Sequence, residues 1–229
     1  FLGYGGWQEI DVHALPHGGA PLSARVAVAY GLDIGQPLGP RPPGTAVVVS
    51  DPTGDLPQAA REGERVRALL GESRKVTLLN DARARKPAVI DALRGAELFH
   101  FAGHGVFHPD APWEGGLLLA GSRLLPGDVL ALAEAPRVVV LSGCETGRAP
   151  ARSGVDMSLA YAFLASGAET VVATNRPVAD TLAAAMSEAL YETVATTEWE
   201  PVAALQRAQE RVRAAAPESD WASYRVLVR

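Results

Sequence analysis

Two short segments carry side chains that could do covalent chemistry, and each contains or directly follows an apolar run. Residues 99–105 read Phe-His-Phe-Ala-Gly-His-Gly, which places His104 between two glycines. Residues 140–147 read Val-Leu-Ser-Gly-Cys-Glu-Thr-Gly and contain Cys144, the one cysteine of the chain. A thiol of ordinary pKa is mostly protonated at neutral pH, but an adjacent imidazole can remove its proton and make it a strong nucleophile. The segments therefore predict nucleophilic catalysis by Cys144, with His104 as general base and then general acid.

The glycines beside these residues favour the same chemistry. Gly105 and Gly143 lack a Cβ atom at positions where a substrate carbonyl would have to approach. The backbone N–H groups of Gly105 and Cys144 are candidates for stabilising the oxyanion that forms when a thiolate attacks a carbonyl.

The elements that must position these segments alternate along the chain. Short apolar runs, several of them rich in β-branched residues, lie at residues 46–49, 76–79, 98–101, 138–141 and 170–173. Amphipathic segments separate the runs, which is typical of an α/β fold with a mostly parallel sheet covered by helices. Ligands of such sheets bind beyond the carboxyl ends of the strands. His104 and Cys144 are therefore predicted to face one crevice.

The first helix is predicted directly after the first apolar run. Asp55 is expected to be its N-cap, and Pro57 lies in its first turn. Val66 and Leu70 recur on one face before Gly71. Further helices are predicted over residues 87–94, 155–166, 180–195 and 201–216.

The two ends of the chain are predicted to differ in regularity. Residues 1–44 are rich in glycine and proline and are expected to form an irregular N-terminal arm with one or two strands, in which His13 and His17 are exposed to solvent. Residues 224–228 alternate and should form a half-exposed final strand at the sheet edge. We predict one domain over residues 1–229, a piece of a longer protein because the sequence does not begin with methionine.

Simpler explanations exist for the reactive residues. A single free cysteine after an apolar strand is most often inert core, which is the structural alternative for Cys144. His100 is expected to be a hydrogen-bonded structural histidine beneath the site. The spacing of four between His100, His104 and His108 would suit a metal site on a helix, but the glycines and the proline of this segment exclude a helix.

Composition excludes several classes of protein. The chain has 229 residues, of which 48% are hydrophobic, and a formal net charge of −5. It can bury a core, and its negative charge argues against nucleic acid as a direct partner. No apolar run approaches the roughly 18–20 residues of a membrane-spanning helix. One cysteine excludes an internal disulfide and suits a reducing compartment, so the sequence predicts a cytoplasmic protein with no membrane partner.

Three segments together resemble the CHAT domain, a caspase-like peptidase module often fused to tetratricopeptide repeats. They are residues 100–105, 141–147 and 166–173, the last reading Ser-Gly-Ala-Glu-Thr-Val-Val-Ala. The resemblance implies a caspase-like α/β fold and a bacterial cysteine endopeptidase that uses a dyad of Cys144 and His104. It implies no metal or organic cofactor and a protein or peptide substrate. It also implies control by a tetratricopeptide-repeat or other regulatory domain, frequently in defence or cell-death systems.

One segment departs from the family pattern. After the fifth strand the family usually has a Leu-Trp pair followed by a valine and an aspartate, whereas here Asn175, Arg176 and Pro177 precede Val178 and Asp180. In the related separases the equivalent aspartate lines the pocket for a basic residue before the cut, which makes Asp180 a candidate substrate-binding acid. Arg176 could pair with Asp180 and neutralise it, or favour an acidic substrate residue.

Two alternatives to these roles stay open. Asp180 could merely cap the following helix. The altered loop also leaves a catalytically silent caspase-like binding or scaffold module as the alternative function.

Overall fold

The computed structural model describes residues 1–2, 9–31, 44–148, 158–192 and 200–229. In chain order the strands of this part are β1 (Pro16–His17), β2 (Ala20–Pro21), β3 (Tyr30–Gly31), β4 (Thr45–Ser50), β5 (Val76–Asn80), β6 (Ala96–Ala102), β7 (Gly105–Val106), β8 (Gly116–Leu119), β9 (Ser122–Leu124), β10 (Val138–Ser142), β11 (Thr170–Thr174) and β12 (Tyr224–Val228). The α-helices are α1 (Pro57–Gly71), α2 (Lys86–Leu93), α3 (Pro126–Leu130), α4 (Leu159–Ala165), α5 (Asp180–Tyr191) and α6 (Pro201–Ala215).

A seven-stranded sheet with the order β3-β12-β11-β10-β6-β4-β5 forms the centre of the molecule. All neighbouring strands are parallel except β11 and β12, which are antiparallel. The predicted mostly parallel α/β sheet is confirmed. Its inner strands are mostly apolar because helices cover both faces.

Two apolar layers lie on opposite faces of this sheet. One layer is formed with α1, α5 and α6, which contribute buried residues such as Val66, Met186 and Leu205. The other is formed with α2, α3, α4 and the small sheet β7-β8-β9, and includes Phe163 and Leu117. The side chains of β4 and β6 alternate between the layers, as the period of a strand requires. The two helices that border the candidate site, α1 and α5, lie on the same face.

The predicted position of the last strand was wrong. β12 was expected to be half-exposed at the edge, but it lies between β11 and β3 and its first four residues are buried. The N-terminal arm returns to the sheet through Tyr30 and Gly31 and becomes the edge itself. A pairing between residues so far apart in the chain leaves no local signal in the sequence.

Of the two predictions for the histidines of the N-terminal arm, the one for His13 was wrong. His17 is exposed as expected, but His13 is only 2% exposed. Its Nδ1 lies 2.7 Å from the hydroxyl of Tyr30. Burial lowers the pKa of His13 to about 4, so the ring is neutral at pH 7.

The remaining helix predictions agree with the structure where it describes them. α5 and α6 begin where expected, and α5 ends at Tyr191. Of the helix predicted over 155–166, residues 155–157 lie outside the described residues and α4 covers most of the rest. Gly167 adopts φ +109° directly after it, which is the left-handed conformation that a glycine provides at low cost. In the described part of the chain, none of the helices combines the length and apolarity that crossing a membrane requires.

Candidate functional site

The register of two parallel strands brings the predicted catalytic residues to one end of the sheet. β6 and β10 are neighbours, and their last residues, Ala102 and Ser142, are directly paired. His104 and Cys144 each lie two residues beyond this pair. Because parallel strands end on the same side, both side chains leave the sheet at the same edge, as the sequence predicted.

His104 and Cys144 line a common cleft at this edge. The cleft is bounded by α1, by the start of α5 and by the segments that follow β6 and β10. Cys144 is partly buried, and its Sγ lies 3.8 Å from the carbonyl oxygen of Val178. The thiol is therefore open to a ligand in the cleft and is not sealed in the apolar core.

The two glycines beside the reactive residues are required by close backbone packing. A Cβ on Gly105 would lie 2.3 Å from the carbonyl oxygen of Cys144. A Cβ on Gly143 would lie 2.8 Å from the carbonyl oxygen of Gly103 and 3.3 Å from the amide nitrogen of Gly105. Only glycine allows such an approach, so the two segments carrying the candidate oxyanion donors are held against each other.

Threonine side chains hold the segment around Cys144 from below. Thr174, the last residue of β11, donates its hydroxyl to the carbonyl oxygen of Gly143 at 2.6 Å. Thr146 donates its hydroxyl to the carbonyl oxygens of Leu141 and Gly143 at 3.2 and 3.3 Å. These bonds fix the turn that presents Cys144, which is the rigidity that an oxyanion site needs.

Asp55 is a site residue that the sequence analysis placed in another role. Nε2 of His104 lies 3.1 Å from Oδ1 and 3.2 Å from Oδ2 of Asp55. The hydroxyl of Thr53, which hydrogen-bonds this carboxylate, and then His104 lower the pKa of Asp55. The carboxylate therefore stays ionised beside the imidazole at neutral pH and below.

The start of α1 explains why Asp55 is available. The predicted N-cap role of Asp55 was wrong, because the N-cap position is Leu56, which makes no side-chain capping bond. The carboxylate of Asp51 instead accepts the amide hydrogens of Asp55 and Leu56, at 3.1 and 3.0 Å. Asp51 is the residue directly after β4, so three neighbouring strands direct Asp55, His104 and Cys144 to one edge of the sheet.

The two predicted substrate-binding residues lie in different surroundings. Asp180 is exposed, lines the cleft and is the first residue of α5, whose N-cap position is Ala179. Arg176 does not contact Asp180; its guanidinium binds Asp220 through two hydrogen bonds, and it also pairs with Asp11. The structure thus places Asp180 in the cleft and ties Arg176 to the N-terminal arm.

Contacts with the N-terminal arm explain why residues 175 and 176 depart from the family pattern. Asp11 also accepts hydrogen bonds from Asn175 at 3.1 Å and from Arg225 at 2.6 and 2.9 Å. A carboxylate that is mostly buried is compensated here by two guanidinium groups. Asn175 and Arg176 therefore attach the loop before α5 to the N-terminal arm, and a contact of Arg176 with substrate stays a prediction.

A buried polar cluster lies beneath the cleft. His100 is fully buried; its Nδ1 lies 3.3 Å from the hydroxyl of Tyr191 and its Nε2 lies 3.2 Å from Oε1 of Glu62. Ser187 donates its hydroxyl to the same oxygen of Glu62 at 2.6 Å. The predicted structural role of His100 is confirmed. Glu62 was missed, although a charged residue between the inward-facing Ala59 and Val66 of an amphipathic helix is a readable signal.

The side chains that the site brings together are a thiol, Cys144, an imidazole, His104, and a carboxylate, Asp55. Within the described ranges, no group of three or more His, Cys, Asp or Glu side chains is placed to bind a metal ion.

A family model of the CHAT domain matches residues 5–229. The chain belongs to the CHAT domain family. Its resemblance to this family in sequence is thereby confirmed over nearly its whole length.

Solved structures similar to this CHAT domain include cysteine proteases of caspase-like fold. Separase in the Saccharomyces cerevisiae separase–securin complex has a TM-score of 0.58 and 15% identity, over 81% of this chain and 12% of separase. The Arg-specific cysteine proteinase gingipain R has a TM-score of 0.62 and 14% identity, over 80% of this chain and 46% of gingipain. A Porphyromonas gingivalis complex of the pro- and mature domains of this proteinase gives 0.59 and 14%, over 81% and 47%.

These comparisons define the fold and no more. Identities of 14 to 15% are compatible with many functions on one fold. The CHAT domain spans less than half of the length of the solved chains named above. No curated protein matches the chain. Its architecture is the caspase-like fold, and its activity must be argued from the cleft.

Proposed function

We propose that this CHAT domain is a cysteine endopeptidase that cleaves a protein partner with a dyad of Cys144 and His104. The observation that carries the proposal is the common cleft of these two residues, each two positions beyond the end of a pair of parallel strands. A thiol and an imidazole that face one open cleft are the minimum machinery for nucleophilic cleavage of an amide. The caspase-like fold of the domain supports the same reaction class.

In the proposed reaction, the thiol of Cys144 gives its proton to His104, and the sulfur bonds to the carbonyl carbon of the scissile peptide. The carbonyl oxygen becomes an oxyanion, to which the N–H groups of Gly105 and Cys144 donate hydrogen bonds. The C–N bond then breaks as His104 delivers its proton to the leaving amine. A water molecule, deprotonated by His104, hydrolyses the resulting thioester and releases the free thiol.

Asp55 is assigned a positioning role in this scheme. Its carboxylate contacts Nε2 of His104, which leaves Nδ1 to exchange a proton with the thiol. A negative charge at this distance stabilises the imidazolium that forms during catalysis. Because the side chain of Asp55 is 62% exposed, water screens this charge and its contribution is modest.

The partners and setting are proposed on family resemblance. Asp180 would contact the substrate side chain that enters the cleft. Relatives of the fold have been solved bound to protein chains, separase with securin and the gingipain with its pro-domain. We propose a protein substrate, control by a tetratricopeptide-repeat or similar domain, and a role in a cytoplasmic bacterial defence or cell-death system.

A peptidyl electrophile that alkylates cysteine tests the dyad directly. Labelling of the purified domain should occur at Cys144, as read from the mass of the tryptic fragment, and should be absent in Cys144→Ala. His104→Ala should slow labelling by about 10²- to 10⁴-fold, the range of a lost general base. His108→Ala is the matched control, because His108 lies just beyond β7 and is not in the cleft lining.

Labelling that is equally fast with and without His104 would contradict the proposal. A domain with an unactivated thiol and an intact fold would then be a binding or scaffold module. Proteolysis is read in parallel by mixing the active protein and Cys144→Ala with candidate neighbouring proteins and mapping new chain ends by mass spectrometry. Cleavage that persists in Cys144→Ala would show that Cys144 is not the nucleophile.

A further inference from the structure

The thiol of Cys144 contacts a backbone carbonyl in this structure. Sγ lies 3.8 Å from the carbonyl oxygen of Val178, as in a weak S–H···O hydrogen bond. Nε2 of His104 contacts the carboxylate of Asp55, and across the described ranges no hydrogen bond joins Sγ to His104. A thiolate has no hydrogen to donate to a carbonyl. The contact with Val178 therefore exists only while Cys144 is a protonated, unreactive thiol.

Val178 belongs to the segment between β11 and α5, residues 175–179, which we call the cleft loop. The guanidinium of Arg176 anchors this loop, because it donates to both carboxylate oxygens of Asp220, at 2.9 and 2.5 Å. Pro177 separates this anchor from Val178, and its ring limits the freedom of the backbone between them. The position of the Val178 carbonyl thus depends on where Arg176 is held.

Asp11 connects this guanidinium to the N-terminal arm. Its carboxylate accepts hydrogen bonds from Arg176, from Asn175 of the cleft loop and from Arg225 of β12. The guanidinium carbon of Arg225 in turn lies 4.7 Å from the centre of the ring of Tyr30, with which the arm enters the sheet. Separating a mostly buried carboxylate from a cationic partner is costly. A shift of the arm must therefore move the cleft loop or break these bonds.

The two carboxylates that bind Arg176 differ in burial. The side chain of Asp220 is 42% exposed, whereas that of Asp11 is 14% exposed. Water screens an exposed charge more strongly than a buried one, so the pair with Asp11 constrains the guanidinium more than the pair with Asp220 does. The arm is therefore the main anchor of Arg176.

We propose that Arg176 is a positioning residue through which the N-terminal arm holds Cys144 in a resting contact with Val178. While Asp11 binds Arg176, the cleft loop keeps the Val178 carbonyl beside the thiol. When a binding event moves the arm and frees Arg176, the loop relaxes and the thiol is released to give its proton to His104. This inference rests on the proposed peptidase function, to which it adds a regulatory route from the arm to the nucleophile.

The rate at which iodoacetamide alkylates Cys144 tests this route. Arg176→Gln removes the guanidinium but leaves Asp11 paired with Arg225, so the fold should be kept. This variant should label about 2- to 10-fold faster than the wild type, the range that one hydrogen bond contributes. Asp220→Asn is the matched control, because it removes the other partner of the same guanidinium and should change the rate less. An unchanged or slower rate in Arg176→Gln, or an equal gain in Asp220→Asn, would overturn the proposal.

The dependence of this gain on His104 separates release of the thiol from general loosening of the cleft. In a His104→Ala background, Arg176→Gln should give no gain, because the released thiol then has no base to take its proton. A gain of the same size without His104 would contradict the positioning role. Asp11→Asn added to Arg176→Gln should give little further gain, since both substitutions break one contact. A further gain as large as the first would contradict the assigned route.

Amide hydrogen exchange tests the coupling without any catalysis. Exchange of residues 175–179, read by mass spectrometry, should be faster in Arg176→Gln and in Asp11→Asn than in the wild type. It should be unchanged in Glu188→Gln, which removes an exposed ion pair of α5. Equal exchange in all four proteins would contradict only the coupling of the arm to the loop. Wild-type labelling that does not depend on His104 would contradict only the peptidase function, and the exchange of the loop would then decide the coupling.

Discussion

The imidazole of His104 contacts the carboxylate of Asp55, with Nε2 3.1 Å from Oδ1 and 3.2 Å from Oδ2. The two residues are 49 positions apart in the chain. They meet because β4 and β6 are neighbours in the sheet, so the loops that follow the two strands lie side by side. The contact orients the ring that the proposed mechanism requires as a base.

Asp55→Asn should lower kcat/KM of the peptidase about 3- to 10-fold, because it removes a screened charge from the imidazolium but keeps a hydrogen-bonding group. The pKa of Asp55 is lowered, so the carboxylate loses its charge only as pH falls below the ordinary range of an aspartate. The effect of the variant should therefore be full at pH 7 and shrink in strongly acidic buffer. Initial rates against pH for both proteins measure this, with Asp91→Asn at an exposed helix position as control. A loss of the same size in the control would refute a specific role.

Gly105→Ala should impair the oxyanion site more than it impairs folding. The added Cβ would lie 2.3 Å from the carbonyl oxygen of Cys144, so the two segments must separate. Removal of one oxyanion donor costs about 10²- to 10³-fold in kcat in well-studied proteases, and a comparable loss is expected here. Steady-state kinetics with a fixed peptide provide the measurement. Gly127→Ala in α3 is the control, since nothing lies within 4 Å of its Cβ. An undiminished kcat in Gly105→Ala would show that catalysis does not need the two segments to pack this closely.

Two glycine-to-alanine substitutions in α1 should have opposite effects on stability. A Cβ on Gly63 would lie 2.2 Å from Cβ and 2.3 Å from Oγ of Ser50, so Gly63→Ala forces the helix away from β4. Such overpacking costs about 1–3 kcal/mol of the free energy of unfolding. Gly71→Ala, at the end of the same helix, meets nothing within 4 Å and should be neutral or stabilising by up to about 1 kcal/mol. Urea denaturation compares them, and equal midpoints would show that α1 is not packed this closely on the sheet.

Acid should destabilise the N-terminal arm through His13. Burial lowers the pKa of His13 to about 4 in the folded protein, against 6.5 as the ordinary value. A lowered folded-state pKa means that the unfolded chain binds the proton more tightly, so this contribution to stability is complete above pH 6.5 and is lost as pH falls toward 4. The shift corresponds to at most about 3 kcal/mol.

The measurement is the free energy of unfolding between pH 7.5 and 4.5 for the wild type and two variants. His13→Gln should flatten the dependence on pH, whereas His17→Gln should leave it unchanged because His17 is exposed. Parallel curves for the wild type and His13→Gln would show that His13 is not buried as a neutral ring.

Most strands of the central sheet and most of the helices that cover it could be predicted from the sequence alone. The apolar runs are short and alternate with amphipathic segments, and these local periods specify buried strands and covering helices whatever their neighbours are. Cys144 and His104 each follow a glycine beyond two such runs, so the residue types and their places were enough to predict that both line one edge of the sheet, while the dyad stays a prediction.

Only the tertiary structure decided which elements become neighbours. β6 lies between β4 and β10, and this order brings Asp55 beside His104 and turns Glu62 toward the cleft. The N-terminal arm likewise joins the sheet beside β12 and binds Arg176 through Asp11. Strand order and long-range ion pairs depend on the free energy of the whole packed molecule, whereas strand and helix periods depend on a few adjacent residues. Local sequence patterns could therefore predict where strands and helices form, whereas only the folded chain shows which strands pair and which distant residues form ion pairs.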